Sequence, residues 1–143
     1  MNQIAILQPV VVLVGWTLFM LGWMLATRLP ALRAAGIRMG DLVGTKGADA
    51  DRSLPKAAQW KAHNYNHLFE QPTIFYAICG VLAVAGAGEG GTAVWLAWGY
   101  VLLRIAHSLV QATINRVRPR FILFIASSIC LLLLTIIGAI AVF

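Results

Sequence analysis

Four long apolar stretches, separated by short turns and by one long polar connection, make up most of the chain. Their approximate limits are residues 4–27, 60–87, 92–116 and 120–143. Each stretch is long enough to cross about 30 Å of hydrocarbon as a helix that rises about 1.5 Å per residue. The pattern predicts an all-α membrane protein in which residues 1–143 form a single domain, a bundle of four transmembrane helices.

The second of these stretches changes character halfway along. Its first half, KAHNYNHLFEQP, is polar, and its second half, TIFYAICGVLAVAGA, is apolar. Pro72 lies at the junction and lacks a backbone donor, so we expect the helix to kink there. The turn that follows is short, which makes the second and third helices antiparallel neighbours.

A basic connection, residues 28–59, joins the first span to the second. It is longer than a tight turn requires, so part of it is expected to fold as an interfacial helix or as a lid. Residues 31–39, which include Arg33 and Arg38, suit a short amphipathic helix at the membrane surface.

Polar residues recur at helical intervals along the third span. They fall within roughly 100° of one another around the helix and so form one stripe. These residues are Arg104, His107, Ser108, Gln111, Asn115 and Arg118. An arginine costs about 2.5–3.5 kcal/mol near the middle of a membrane. The stripe therefore predicts that this face meets a partner helix, a cavity or a ligand rather than lipid.

Composition supports a membrane location and narrows the range of partners. Hydrophobic residues make up 60% of the chain and charged residues only 11%, too few for the surface of a soluble domain. The net charge is +6, but the basic residues lie between apolar spans. Anionic lipid headgroups or an anionic substrate are therefore the expected partners, and nucleic acid is not.

The distribution of lysine and arginine predicts the orientation. Nearly all of them lie in residues 28–59 and 116–120, two connections that share one side of a four-span bundle. The positive-inside rule places both connections in the cytoplasm and both termini outside. We expect an integral, multi-pass protein of a bacterial inner membrane with periplasmic termini.

Two charged residues of neighbouring spans, Glu70 and Arg104, are predicted at similar depth. One interpretation is a buried ion pair that fixes the register of the bundle. The other is a site for an anionic ligand that enters from the cytoplasm. The remaining polar residues of the third span favour a site, because an ion pair does not need them.

Other chemistries are weaker alternatives. His63 or His67 together with His107 suits a haem between helices, but histidines that only satisfy hydrogen bonds are the commoner case. No cysteine or carboxylate cluster has metal-ligand spacing, and Cys79 and Cys130 lie in apolar runs, so neither a metal site nor a disulfide is expected. A small multidrug-type exporter would carry a carboxylate in its first span, and this chain has none there.

Three segments of the chain resemble one known family. NHLFEQPTIFYA looks like a second-helix signature, and RIAHS followed by NRVRPRF looks like a third helix and its turn into the fourth. The family is the membrane-associated proteins in eicosanoid and glutathione metabolism (MAPEG), and the chain looks like a bacterial-type member. The resemblance implies a homotrimer of four-helix subunits. It also implies glutathione as co-substrate on the cytoplasmic side, between the first two helices of one subunit and the last two of the next.

The resemblance also implies roles for individual residues. Arg120 matches an arginine often assigned to activating the glutathione thiol, and Ser108 is a candidate hydrogen-bond donor to the sulfur. Lys61 lies one residue before Ala62, where the best-studied members have an arginine, and Gln111 stands where a tyrosine is common. The residues expected to bind glutathione are Lys61, Asn66, Glu70, Arg104, His107 and Gln111.

The function that this resemblance implies is that of an integral membrane transferase or peroxidase. It would use glutathione against lipophilic electrophiles that arrive through the membrane lipids. A thiol at its free pKa is mostly protonated at neutral pH, so a nearby arginine would raise the reactive thiolate fraction. The alternative is a non-catalytic membrane protein of the same fold that binds a lipid or a partner.

Overall fold

A computed structural model of the chain describes residues 4–89 and 91–143, and every regular element in these residues is helical. Five α-helices account for most of them. These are α1 (Leu7–Ala34), α2 (Lys56–His67), α3 (Gln71–Val84), α4 (Gly91–Thr113) and α5 (Val117–Val142). Two short 3-10 helices, Met39–Asp41 and Gly47–Arg52, lie in the connection between α1 and α2.

Four spans of this fold are long and apolar enough to cross a membrane: α1, the α2–α3 segment Lys56–Val84, α4 and α5. The predicted all-α fold with four membrane helices is therefore confirmed. The chain is an integral, multi-pass membrane protein, as the apolar spans indicate.

The first helix is longer than predicted. It continues to Ala34 instead of ending near residue 27, and it ends where Gly36 adopts a left-handed φ of 72°. Glycine reaches this conformation without steric cost, so it stops the helix there. Residues 31–39 consequently do not form a separate interfacial helix, because the first part of that stretch is the last turn of α1.

The second span is broken as well as kinked. α2 ends at His67 and α3 begins at Gln71, with Pro72 in the first turn of α3. Proline is tolerated in a first turn because those backbone N–H groups have no partner within the helix. The predicted irregularity at Pro72 is therefore present, as a break over residues 68–70.

The third helix is shorter than predicted. α4 ends at Thr113, and Asn115 follows it with a φ of 51°. The backbone N–H of Asn115 donates to the carbonyl of Val110 at 2.7 Å, which closes the helix end. Arg118 belongs to the first turn of α5 and is exposed. The predicted polar stripe is thus wrong in its last two members, because it ends at Gln111.

The core surrounds α4. This helix packs against α1, α2 and α5, and α3 packs against α1 and α5. The rings of Phe75 from α3 and Tyr100 from α4 stack with their centroids 4.3 Å apart. Because α4 is central, its polar face is enclosed by other helices and is kept from lipid.

Candidate functional site

The polar face of α4 lies inside the bundle. The exposed fractions of Arg104, His107, Ser108 and Gln111 are 1%, 3%, 0% and 6%. Their spacing of three and four residues puts them on one side of the helix. The structure therefore brings together the four stripe residues that belong to α4.

Arg104 is the most unusual of these side chains. Within residues 4–89 and 91–143, no group accepts a hydrogen bond from any of its three guanidinium nitrogens. Its Cζ atom lies 5.8 Å from the centroid of the Phe124 ring, close enough for a cation–π contact. A ring does not replace a hydrogen-bond acceptor, so this buried cation retains the capacity to bind an anion.

Glu70 does not form an ion pair with Arg104 in this structure. Its side chain is exposed, and its Oε2 atom lies 2.5 Å from Nδ1 of His67. Glu70 precedes the first residue of α3, at the break in the second span, and does not continue the face of α2. The part of the chain that the structure describes thus lacks the buried Glu70–Arg104 ion pair.

His107 and Arg120 line a common hollow of about 190 Å³. Its other lining residues are His67, Val117, Phe121 and Phe124. Nη1 of Arg120 donates to Oδ1 of Asn115 in the turn between α4 and α5, which restrains the guanidinium. The left-handed conformation of Asn115 thus helps to present Arg120 to this hollow.

His67 and His107 do not leave room for a haem between them. The ring centroids of His67 and His107 are 5.1 Å apart, so the rings pack on each other. Nδ1 of His67 is also taken by Glu70. Within the described residues, no group of three or more His, Cys, Asp or Glu side chains is placed to hold a metal ion.

Ser108 joins three helices. Its Oγ atom accepts hydrogen bonds from Trp16 of α1, at 3.0 Å, and from Asn64 of α2, at 2.7 Å. Both hydrogen bonds lie in the bundle interior, where a donor without an acceptor would destabilise the fold. Ser108 therefore links α4 to α1 and α2 through hydrogen bonds in the bundle interior.

Asn64 is a buried polar residue that the sequence analysis missed. It lies three residues after Lys61 and four before Leu68, and all three side chains are buried. That spacing shows in the sequence that the three residues share one face of a helix, but periodicity alone does not show that this face of α2 is the buried one. The predicted residue, Asn66, is exposed.

Lys61 is buried but already has partners. Its Nζ atom donates to the carbonyls of Ala57 at 3.1 Å and Ala112 at 3.4 Å, and it lies 5.1 Å from the ring centroid of Trp23. The carbonyl of Ala112 belongs to the last turn of α4, where carbonyls lack helical partners. Lys61 thus ties α2 to the end of α4.

Gln111 differs from Lys61 because one of its polar side-chain atoms has no hydrogen-bond partner in the described part of the chain. Its Oε1 atom is buried, and among the described residues none donates a hydrogen bond to it. It lies one helical turn beyond His107 on the same face of α4. Together with Arg104, it gives this face two polar groups with unused hydrogen-bonding capacity.

Asn66 lines a second hollow, of about 310 Å³, between α1, α2 and the connection that joins them. Arg28, Asp51 and His63 line it too. Asp51 lies 3.5 Å from Arg28 and 2.8 Å from His63, an arrangement that the sequence analysis did not predict. Among the predicted site residues, Asn66 thus lines one hollow, and His107 and Arg120 line the other. The remaining predicted residues line neither of these two hollows: Lys61, Glu70, Arg104, Ser108 and Gln111.

Comparison with known proteins identifies the family of this chain. The model of the MAPEG family matches residues 6–140, nearly the whole chain. No curated protein and no solved structure matches the sequence. The family match and the four apolar spans agree with each other, and the chain belongs to the MAPEG family.

Proposed function

We propose that the protein is a glutathione-dependent transferase or peroxidase that acts on lipophilic electrophiles. The proposal includes a homotrimer with glutathione bound between subunits at the cytoplasmic side. Membership of the MAPEG family, whose known proteins act in glutathione and eicosanoid metabolism, supports it.

The observation that carries the proposal is the unsatisfied Arg104. A cation buried in a membrane span is costly, and no described residue within the protomer accepts a hydrogen bond from it. Glutathione is an anion with two carboxylates, and its reactive form adds a thiolate. A ligand of this kind would supply the missing hydrogen-bond acceptors.

The sizes of the hollows support a site shared between subunits. The hollow beside Arg120 measures about 190 Å³, and ligand pockets usually enclose about 300–1,000 Å³. The hollow that contains Asn66 is formed by α1, α2 and the connection between them, whereas that beside Arg120 is formed mainly by α5, with one residue each from α2 and α4. In a trimer, the first hollow of one subunit would complete the second hollow of its neighbour.

Arg120 is the proposed activating residue. Its positive charge favours the thiolate over the thiol of glutathione, because opposite charges attract most strongly where water is excluded. The thiolate then attacks the electrophilic carbon, a carbon–sulfur bond forms, and the leaving group departs with the displaced electron pair. Ser108 is left out of this step, because its Oγ atom is buried and binds two helices.

The experiment uses purified protein with glutathione and 1-chloro-2,4-dinitrobenzene. We expect turnover, and stabilisation against thermal unfolding by millimolar glutathione. Arg120→Ala is expected to lower kcat/KM by about 100-fold, the size of effect seen when one electrostatic stabiliser is removed. Arg118→Ala is the matched control, since Arg118 is exposed two residues earlier on the same helix, and it is expected to keep full activity.

Absence of turnover together with absence of stabilisation by glutathione would remove this proposal. The remaining candidate would then be a non-catalytic membrane protein that binds a lipid or a partner. The division of Asn66 and Arg120 between two hollows favours that candidate if the protein proves to be a monomer. A sedimentation measurement in detergent distinguishes a monomer from the expected trimer.

A further inference from the structure

The cytoplasmic-side connection begins with a hollow that the proposed reaction does not use. It has a volume of about 550 Å³ and lies at the C-terminal end of α1. Two arginines, Arg33 and Arg38, line it together with apolar side chains. We propose that this hollow binds the headgroup of an anionic phospholipid, independently of any glutathione chemistry.

Local sequence explains how the two arginines come to share one hollow. At the end of α1, the N–H of Gly36 donates to the carbonyl of Arg33 and the N–H of Ile37 donates to that of Leu32, both at 3.0 Å. This pair of bonds is a Schellman motif, and Gly36 supplies the left-handed residue that it needs. The motif reverses the chain, so that Arg38 returns to the same hollow as Arg33.

The length of α1 places the hollow at headgroup depth. The helix has 28 residues, which corresponds to about 42 Å at a rise of about 1.5 Å per residue. A bilayer with its headgroup regions measures about 40–45 Å, of which the hydrocarbon takes about 30 Å. The last turn of α1, which contains Arg33, therefore reaches the level of the lipid phosphates.

The charges at this hollow are available for a ligand. Within the described part of the chain, neither Arg33 nor Arg38 has a carboxylate within 4.0 Å, in contrast to Arg28, which is paired with Asp51. No acidic residue lines the hollow. Guanidinium groups bind phosphate oxygens through paired hydrogen bonds, so two free arginines are complementary to a phosphodiester.

The rest of the lining suits the apolar part of a lipid. Leu29, Leu32, Ile37 and Met39 complete the wall. Met39 is exposed over 62% of its surface, and Leu32 over only 8%. A phospholipid would place its phosphate on the arginines and its upper acyl carbons on this apolar wall, and free phosphate would use only the first contact.

The experiment measures binding of short-chain lipids to the purified full-length protein in zwitterionic detergent. Dihexanoyl phosphatidylglycerol is compared with dihexanoyl phosphatidylcholine and with inorganic phosphate, by microscale thermophoresis. We expect preferential binding of phosphatidylglycerol. Arg33→Gln/Arg38→Gln is expected to weaken it by roughly 30-fold, from the usual contribution of an arginine near an anionic lipid.

Arg52→Gln/Lys56→Gln is the matched control. It makes the same change in net charge at two exposed residues that do not line this hollow, Arg52 in the connection and Lys56 at the start of α2. We expect it to bind phosphatidylglycerol like the unsubstituted protein. If both double variants lose phosphatidylglycerol binding equally, the attraction is diffuse and the proposal is overturned. If both retain phosphatidylglycerol binding equally, the two arginines do not form the site and the proposal is also overturned.

The measurement with inorganic phosphate tests whether the hollow prefers a phospholipid to a free phosphate ion. If phosphate binds as tightly as phosphatidylglycerol, the apolar wall contributes nothing and the lipid assignment is wrong. A double variant that keeps its helical circular dichroism but loses phosphatidylglycerol binding excludes misfolding as the cause. Because Arg33 and Arg38 are exposed, we expect both double variants to fold.

Discussion

At the scale of single residues, the environment of Arg104 distinguishes it from two other polar side chains of the bundle interior, Ser108 and Lys61. Both are buried as well, but Ser108 accepts hydrogen bonds from two neighbouring helices, and Lys61 donates one within α2 and one to α4. Arg104 has no such partner among the described residues. Burying a polar group without a hydrogen-bond partner destabilises a fold. A buried group that has its partners is therefore explained by helix packing, and one that lacks them is a candidate for binding a ligand.

Replacing Arg104 with leucine tests this distinction. In the absence of glutathione, we expect the melting temperature of Arg104→Leu to be unchanged or raised by a few degrees, because an uncompensated buried charge has been removed. Stabilisation by glutathione should be lost. Both quantities are measured by thermal unfolding in detergent with and without millimolar glutathione.

Arg116→Leu is the control for that measurement. Arg116 is exposed in the turn before α5, so its replacement should leave both the melting temperature and the glutathione effect unchanged. A clear fall in the melting temperature of Arg104→Leu without glutathione would contradict the argument. It would show that Arg104 already has a partner in the assembled protein.

At the scale of elements, one acidic residue contacts both helices that flank the connection between α1 and α2. Asp51 lies between Arg28, in the C-terminal part of α1, and His63 on α2. Its backbone carbonyl also accepts a hydrogen bond from Gln59, whose amide reaches Leu54 at 2.5 Å as well. These contacts fold a long polar segment back over the helices, although most of its side chains are exposed.

Asp51→Asn is expected to loosen this connection. The amide keeps the shape of the carboxylate but removes the charge that attracts Arg28. Losing one charge-assisted contact should increase the fraction of molecules in which the connection is locally open. The rate of tryptic cleavage after Arg38 or Lys46 should therefore rise by about 3- to 10-fold. Cleavage is followed by mass spectrometry of the detergent-solubilised protein.

Asp41→Asn is the matched control, because Asp41 lies in the same connection but is exposed and forms no side-chain ion pair with another described residue. Its cleavage rate should match that of the unsubstituted protein. Cleavage after Arg116, outside this connection, gives an internal reference. If Asp51→Asn and Asp41→Asn are cleaved at the same rate, Asp51 does not hold the connection.

At the scale of the whole molecule, the four candidate spans in the described residues predict that both termini lie on one side of the membrane. The two basic connections then share the opposite side, which the positive-inside rule predicts to be the cytoplasm. The proposed sites depend on this orientation. Both the glutathione site and the lipid site are expected at the level of the inner leaflet.

Cysteine labelling in intact cells tests the orientation. In a background where Cys79 and Cys130 are alanine, Ser53→Cys should resist a membrane-impermeant maleimide, because residue 53 lies in the basic connection. Thr92→Cys, at the start of α4, should react from outside. After permeabilisation, both variants should react, and the reverse labelling pattern in intact cells would disprove the orientation.

The sequence by itself determined the membrane class, the four spans and the family resemblance. These follow from the length of apolar runs and from short ordered motifs, both of which are local properties. It also gave the irregularity at Pro72, because the missing N–H of proline acts wherever it occurs. The buried face of α4 was predicted for Arg104, His107, Ser108 and Gln111 on periodicity alone.

Only the tertiary structure decided which polar side chains share a site. Left-handed residues at Gly36 and Asn115 set where α1 and α4 end, and the break after α2 turned Glu70 away from Arg104 and toward His67. Asn64 rather than Asn66 met Ser108 because helix packing sets which face of α2 is inside. Such choices depend on contacts between residues far apart in the chain, and no local pattern contains that information.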